Sequence, residues 1–320
     1  MFNLTANNEG LTSLIGNELR KDLRKWIAPP DPSVNYNVAS SAHHEGTASW
    51  CTDGNALKDW KTSGSLLWIH GKRTCPVTFR VLIVNDYSRI DSWFWKEYSQ
   101  VRYTLLRPVT PELRWSTSSV IIRDIESISI SNARFAFSAY FYFDFKDTAK
   151  QDSRALLSSL LVQLSEQSNL FCDILLSLYC AHKQGLRQPS DDSLSQCLNG
   201  MLTVTGRVPV YLIIDALDEC PNDSGIPSSR EKVLKLIRQL VEFDHPNLRL
   251  CVTSRPEFDI RTVLKPLATQ QISLHDEGGQ KQDINDYVTS VVYSDERMRR
   301  WRDNDKTMVI EKLTTKADGM

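Results

Sequence analysis

Three carboxylates lie within five residues of one another in the segment VPVYLIIDALDEC, residues 208–220. Asp215 follows an apolar run, and Asp218 and Glu219 come three and four residues later. A strand that buries both faces and ends in a carboxylate can hold that group rigidly at the ligand-binding edge of a sheet. One carboxylate there can hold the water shell of Mg²⁺, and the next can polarise an attacking water. The structural alternative is an acidic N-cap for the following helix.

A second segment of interest, CVTSRPE, occupies residues 251–257. It follows the next predicted strand, and adjacent parallel strands end at the same edge of a sheet. Arg255 could therefore reach a bound phosphate and neutralise the charge that develops during its transfer. The alternative is an arginine that simply pairs with Asp215, Asp218 or Glu219.

The elements that must position these residues alternate between strands and helices. Short apolar runs predict strands over residues 65–70, 139–145, 209–215, 248–253 and 270–274. Helical spacing of leucine, isoleucine and valine predicts helices over residues 10–26, 153–164, 169–182 and 229–243, with a wholly helical region from residue 280. A polar loop is expected after the prolines at 29–32, extending to about residue 44. This alternation is typical of an α/β fold with a doubly wound parallel sheet.

Composition excludes several classes of protein. The 320 residues carry a net charge of -1, so there is no basic excess of the kind that nucleic-acid-binding domains show. The longest apolar runs are strand-length and cannot span a bilayer, and the N-terminus does not read as a secretory signal. The seven cysteines are scattered and form no CxxC pair, which argues against disulfides or a structural zinc site. We therefore expect a cytoplasmic protein without a membrane partner. The apolar stripe of the predicted helix 10–26 leaves two interpretations open: the helix docks on the main body, or it binds a partner.

Several segments together resemble the NACHT family of STAND-type P-loop NTPases, in particular the fungal nephrocystin-like NACHT modules. YLIIDALDEC resembles the family's Walker B region and CVTSRPE its sensor-1 region. Further similarity lies in residues 26–47, 63–72, 139–147, 151–164, 283–288 and 316–320. The resemblance implies a sheet order of 5-1-4-3-2, Mg²⁺ with ATP or GTP as cofactors, and self-association or other signalling proteins as partners. It also implies an N-terminal helix and lead-in loop (1–44), an NTPase-like domain (45–279), and the start of a helical region (280–320).

By the same resemblance, each acid would have a role in a nucleotide site. Asp215 would order Mg²⁺ through water, Asp218 and Glu219 would position the hydrolytic water, and Arg255 would sense the terminal phosphate. Gly71 would open the phosphate-binding loop.

The phosphate-binding loop itself departs from the family pattern. The family carries G-x-x-x-x-G-K-[ST] after the first strand, whereas here Gly71 and Lys72 are followed by no further glycine until Gly185. A phosphate cradle needs glycine for its unusual backbone angles, and Lys72 comes too early to be the phosphate-binding lysine. The intervening residues 73–119 contain no Gly or Ala, eight aromatic residues and a net charge of +3. The family pattern resumes at residues 119–126 as the helix that normally follows the loop.

Three interpretations of residues 73–119 remain open. The segment is read-through of a non-coding stretch, or it marks a pseudo-NTPase that signals or scaffolds without nucleotide, or it is an insertion that binds single-stranded nucleic acid by base stacking. The first two leave two functions to compare: a nucleotide-dependent switch and a nucleotide-independent scaffold. For the chain as written we predict little or no hydrolysis, because the cradle is missing.

Overall fold

The computed structural model describes residues 18–41, 49–71, 118–127, 136–274, 278–294 and 298–317. Outside these ranges lie Lys72, residues 10–17 of the predicted first helix, the end of the predicted polar loop, and nearly all of the anomalous segment (residues 73–119).

The centre of the fold is a parallel five-stranded sheet. Its strands are β1 (Leu66–His70), β2 (Phe137–Tyr142), β3 (Val210–Asp215), β4 (Leu248–Ser254) and β5 (Gln270–Ser273). They lie in the order β2-β3-β4-β1-β5, and every neighbouring pair is parallel. This is the predicted order 5-1-4-3-2, so both the α/β class and the strand order are confirmed. It is the arrangement of a doubly wound, P-loop NTPase-like fold.

Helices surround this sheet on both faces. In chain order they are α1 (residues 18–27), α2 (Ser33–Ser41), α3 (Ser49–Asp53), α4 (Asn55–Thr62), α5 (residues 118–127), α6 (Ser153–Gln167), α7 (Asn169–Ala181), α8 (Asp191–Val204), α9 (Ser229–Glu242), α10 (Phe258–Leu267), α11 (Gly278–Ser294) and α12 (Asp303–Ala317). Among these described helices, none is long and apolar enough to cross a membrane.

Alternate residues of the strands enter two separate cores, which is why both faces must be apolar. In β1, Leu66 and Trp68 belong to the larger core beneath α1 and α6–α10, whereas Leu67 and Ile69 belong to the smaller core beneath α4 and α5. A third, small cluster joins α11 and α12: its buried residues Val288, Val292, Met298 and Trp301 pack against Val309, Ile310 and Leu313 of α12. The near-continuous apolar runs of the sequence therefore reflect burial on both sides of the sheet.

Helix α1 packs on the main body, as one of the two sequence interpretations predicts. Trp26 is buried against Tyr179, with the ring centroids 5.2 Å apart in an edge-to-face arrangement. Its indole Nε1 donates a hydrogen bond of 2.9 Å to the carbonyl of Arg187. Arg24 adds an exposed ion pair with Glu166 at 2.8 Å.

Several predicted boundaries are wrong. The polar loop expected after Pro32 is largely helix α2. The spacing of apolar residues in this helix is weak, but its Asn35 forms hydrogen bonds with Lys150 and Asp144 after β2, and these contacts support the helix. Helices α3, α4, α8 and α10 were not predicted. Strand β2 begins at Phe137 and ends at Tyr142, earlier than expected, because the chain turns at residues 143–147. The region from residue 280 is two helices separated by a turn at residues 298–301.

Candidate functional site

The buried end of β3 places Asp215 at the carboxyl edge of the sheet. Every residue of this strand is buried, and Asp215 is 3% exposed. The hydroxyl of Thr253 on the neighbouring strand β4 donates to Asp215 Oδ1 at 2.5 Å. The same Thr253 oxygen accepts the backbone N–H of Ala216 at 3.0 Å. Thr253 therefore fixes both the carboxylate and the direction in which the chain leaves the strand.

The chain then makes a tight turn that separates the three acids. Ala216 has left-handed backbone angles (φ 59°, ψ 39°), which cost a non-glycine residue about 1 kcal/mol or more. A 3₁₀ turn, Leu217–Glu219, follows directly, and its Glu219 N–H donates to the carbonyl of Ala216 at 2.8 Å. Because of this turn, Asp218 and Glu219 point to different neighbours.

Asp218 is held by Arg255. The backbone N–H of Arg255 donates to Asp218 Oδ1 at 3.0 Å, and Arg255 Nε lies 3.0 Å from Oδ2. The Asp218 side chain is fully buried, whereas the Arg255 side chain is 28% exposed. The sequence left Arg255 either free to reach a phosphate or paired with one of three acids. In the structure Arg255 is paired, and its partner is Asp218. A buried carboxylate held in this way is well suited to fix the loop after β4 to the turn after β3.

Glu219 is the most accessible of the three acids. Its side chain is only partly buried, and Oε2 accepts the backbone N–H of Phe145 over a long 3.4 Å. Phe145 belongs to the loop after β2 and is itself exposed. Of the three candidates, Glu219 is thus the carboxylate that a water or ligand at this edge of the sheet can approach.

The described start of α5 lies against the same edge. Ser118 and Ser119, the last two residues of the anomalous segment, are part of this helix and are buried. Burial raises the pKa of Tyr142 far above its ordinary value, the charge of Asp215 raises it further, and a hydrogen bond with Ser118 opposes the shift. Tyr142 and Asp215 face each other in the register of β2 and β3. The hydroxyl of Ser118 on α5 is thus next to Tyr142, which lies beside the acidic end of β3.

Gly71 directly follows β1, at the edge where Asp215 also lies. A Cβ at Gly71 would stand 3.2 Å from side-chain carbons of Leu274, so close packing alone gives a reason for glycine there. The residues that would form a phosphate cradle, from Lys72 onward, lie outside the described ranges.

The donor set fits a hydrated Mg²⁺ better than it fits a triphosphate. Mg²⁺ keeps several waters and needs only one or two carboxylates, which Asp215 supplies. Among the described residues there is no group of His, Cys, Asp and Glu that could hold a metal by itself, so any Mg²⁺ here would depend on water and ligand oxygens. On the phosphate side the fit fails, because residues 72–117 contain no glycine to build the cradle.

The cysteines in the described part of the chain form no disulfide. The six described cysteines are all free, and only Cys180 among them is exposed. Burial raises the pKa of Cys220, the residue after Glu219, to about 12, which disfavours the reactive thiolate form.

Comparison with known families gives a match over part of the chain. The nephrocystin 3 N-terminal family model matches residues 115–255. The match covers α5, β2, β3 and β4 and includes Asp215, Asp218, Glu219 and Arg255. It begins within the anomalous segment and spans under half of the chain. No curated protein matches the chain significantly.

Two residues of the site were missed at the level of sequence. Thr253 lies inside the segment CVTSRPE, where its place next to Arg255 at a strand end was an available signal. Arg230 lies in the first turn of α9 and carries no motif, so its contacts with the acidic turn follow only from the structure.

Proposed function

We propose that this chain is a NACHT-type nucleotide-binding signalling module whose phosphate-binding half is impaired. The observation that supports it most is the buried Asp215 at the end of a central strand, oriented by Thr253 and flanked by Glu219. The family match over the same strands supports it independently.

In this proposal Asp215 holds hydrated Mg²⁺, which would supply charge neutralisation to a bound ATP or GTP. Glu219 would accept a proton from water at the same edge. Asp218 and Arg255 keep the two loops of the site together, and in an intact module Arg255 would exchange this partner for a phosphate. Because the cradle is missing, we expect weak binding and no significant hydrolysis.

The second candidate function is a nucleotide-independent scaffold. It is favoured by the glycine-free stretch after Gly71 and by the pairing of Arg255 with Asp218, which already neutralises the cation that would meet a phosphate. Self-association or other signalling proteins would then be the partners, and the cytoplasm the expected location.

Ligand-dependent unfolding separates these functions. At 10 mM Mg·ATP or Mg·GTP, a dissociation constant of about 1 mM would add about 1.4 kcal/mol to the free energy of unfolding, whereas an intact site with a constant 1,000-fold below the ligand concentration would add about 4.1 kcal/mol. We expect the smaller value, and its loss in Asp215→Asn. No stabilisation beyond that given by Mg²⁺ alone would refute the nucleotide-binding function and favour the scaffold.

A further inference from the structure

The buried guanidinium of Arg230 links the two loops of the site. These are the acidic turn, Leu217–Glu219, and the arginine loop, residues 255–257 after β4. Arg230 is 5% exposed and lies at the beginning of α9. Its Nη2 donates to the carbonyl of Asp218 at 2.8 Å, and its Nε donates to the carbonyl of Cys220 at 2.9 Å. These two carbonyls flank Glu219, so Arg230 holds the backbone on both sides of that residue.

The other end of the same guanidinium holds the loop after β4. Nη1 lies 2.5 Å from Glu257 Oε2 and 3.3 Å from Asp259 Oδ2. Glu257 stands two residues after Arg255, which in turn is bound to Asp218. The acidic turn and the arginine loop are therefore tied together twice, once directly and once through Arg230.

Helix α9 is well anchored where it supplies this group. Ser228 and Glu231 form a reciprocal capping box, and the N–H of Arg230 donates to the carbonyl of Pro221 at 3.0 Å. A planar guanidinium with five donors can serve two carbonyls and two carboxylates at once, whereas the ammonium of lysine cannot.

We propose that Arg230 is a positioning residue that keeps Asp218 and Glu219 in register with Arg255, acting through the backbone carbonyls of the acidic turn. The relevance of Glu219 to a ligand rests on the proposed function. The positioning role itself does not, because it concerns contacts present without a ligand.

The test measures amide hydrogen exchange by NMR in the full chain without nucleotide. The reporter is the amide of Arg255, whose hydrogen bond is to Asp218 Oδ1. The reference amides are those of Cys251 and Val252 in the buried part of β4. In Arg230→Lys, which keeps a positive charge beside Glu257, we expect protection of the Arg255 amide to fall about tenfold or more while the reference amides keep theirs.

Two further variants make the result specific. Arg238→Lys changes an exposed arginine of the same helix and should alter neither amide. Asp218→Asn weakens the acceptor directly and should reproduce the Arg255 effect. The proposal is overturned if Arg230→Lys leaves the Arg255 amide protected, or if it lowers protection at all amides equally, since that would be a purely structural contribution.

Should Arg230→Lys fail to fold, Glu257→Gln removes the charge from the more exposed end of the link, where the side chain is 41% exposed. The Arg255 amide should then lose protection selectively, though less, and unchanged exchange would overturn the proposal. Failure of Mg·ATP to stabilise the unmodified chain would refute the proposed function while leaving these exchange results decisive for Arg230.

Discussion

The hydroxyl of Thr253 offers the most direct way to perturb Asp215 without touching it. Thr253→Val keeps the approximate shape of the side chain but removes the donor to Asp215 Oδ1 and the acceptor of the Ala216 N–H. Both partners are buried, so water cannot replace either contact without rearrangement.

The magnitude follows from these two contacts. A hydrogen bond to a charged group contributes about 1.5–3 kcal/mol, and an unsatisfied buried donor costs about 1–3 kcal/mol. Asp215 has further polar interactions, so the loss at the carboxylate is partial. We therefore expect Thr253→Val to lower the free energy of unfolding by about 3 kcal/mol. Thr253→Ser keeps the hydroxyl and loses one methyl group, at about 1 kcal/mol.

Urea denaturation monitored by tryptophan fluorescence measures both variants against the unmodified chain. Thr262→Val is the surface control, because Thr262 is exposed and its hydroxyl bonds only to the carbonyl of Phe258 in its own helix, as far as the described contacts go. We expect it to change stability by less than about 0.5 kcal/mol. If Thr253→Val is no less stable than Thr253→Ser, the hydroxyl does not hold Asp215 and the account of the site is wrong.

Three further predictions concern other parts of the fold. Gly185 and Gly206 both have positive φ angles (+83° and +59°), but a Cβ at Gly185 would stand 2.5 Å from a ring carbon of Tyr179, whereas a Cβ at Gly206 would have no atom within 4 Å. Gly185→Ala should therefore lower the free energy of unfolding by at least about 1 kcal/mol more than Gly206→Ala. Equal losses in urea denaturation would contradict this. Of the six described cysteines, the exposed Cys180 should be alkylated by iodoacetamide in the native state. Cys251, whose pKa is raised well above its usual value by burial, should be alkylated only on unfolding. Peptide mass spectrometry of the alkylated chain measures both. Burial lowers the pKa of His245 below its usual 6.5, so the unfolded chain binds a proton at this histidine more readily than the folded chain, and stability falls as the pH drops through 6.5. Between pH 7.5 and pH 5, His245→Gln should therefore lose less free energy of unfolding than the unmodified chain. Identical losses would refute the lowered pKa.

The fold could be predicted well where burial alone determines the sequence pattern. Strands β3 and β4 are buried along their whole length, so their apolar runs were unmistakable and their bounds shifted by only one residue at one end. The order of the strands came from the family resemblance. Helix α2 was missed because its stability depends on Asn35 contacting Lys150, a contact between residues far apart in sequence.

The three acids and Arg255 were predictable as members of the site, but Thr253, Arg230 and the pairing of the side chains were not. The sequence placed Asp215, Asp218, Glu219 and Arg255 at one sheet edge, yet it left three acids as possible partners for Arg255. The turn that carries Asp218 begins at the left-handed Ala216, and the Asp218 carbonyl accepts a hydrogen bond from Arg230; neither feature has a local sequence pattern. Pairing of side chains across loops is decided by tertiary packing.

Titration calorimetry of Mg·ATP and Mg·GTP into the full chain, with Asp215→Asn titrated in parallel, tests whether this sheet edge binds a magnesium-nucleotide complex. We predict binding that requires Mg²⁺, has a dissociation constant of about 1 mM and disappears in Asp215→Asn. A constant near 1 μM would contradict the impaired phosphate-binding half. Binding that survives Asp215→Asn, or no binding at all, would contradict the assignment of this sheet edge as a magnesium-nucleotide site.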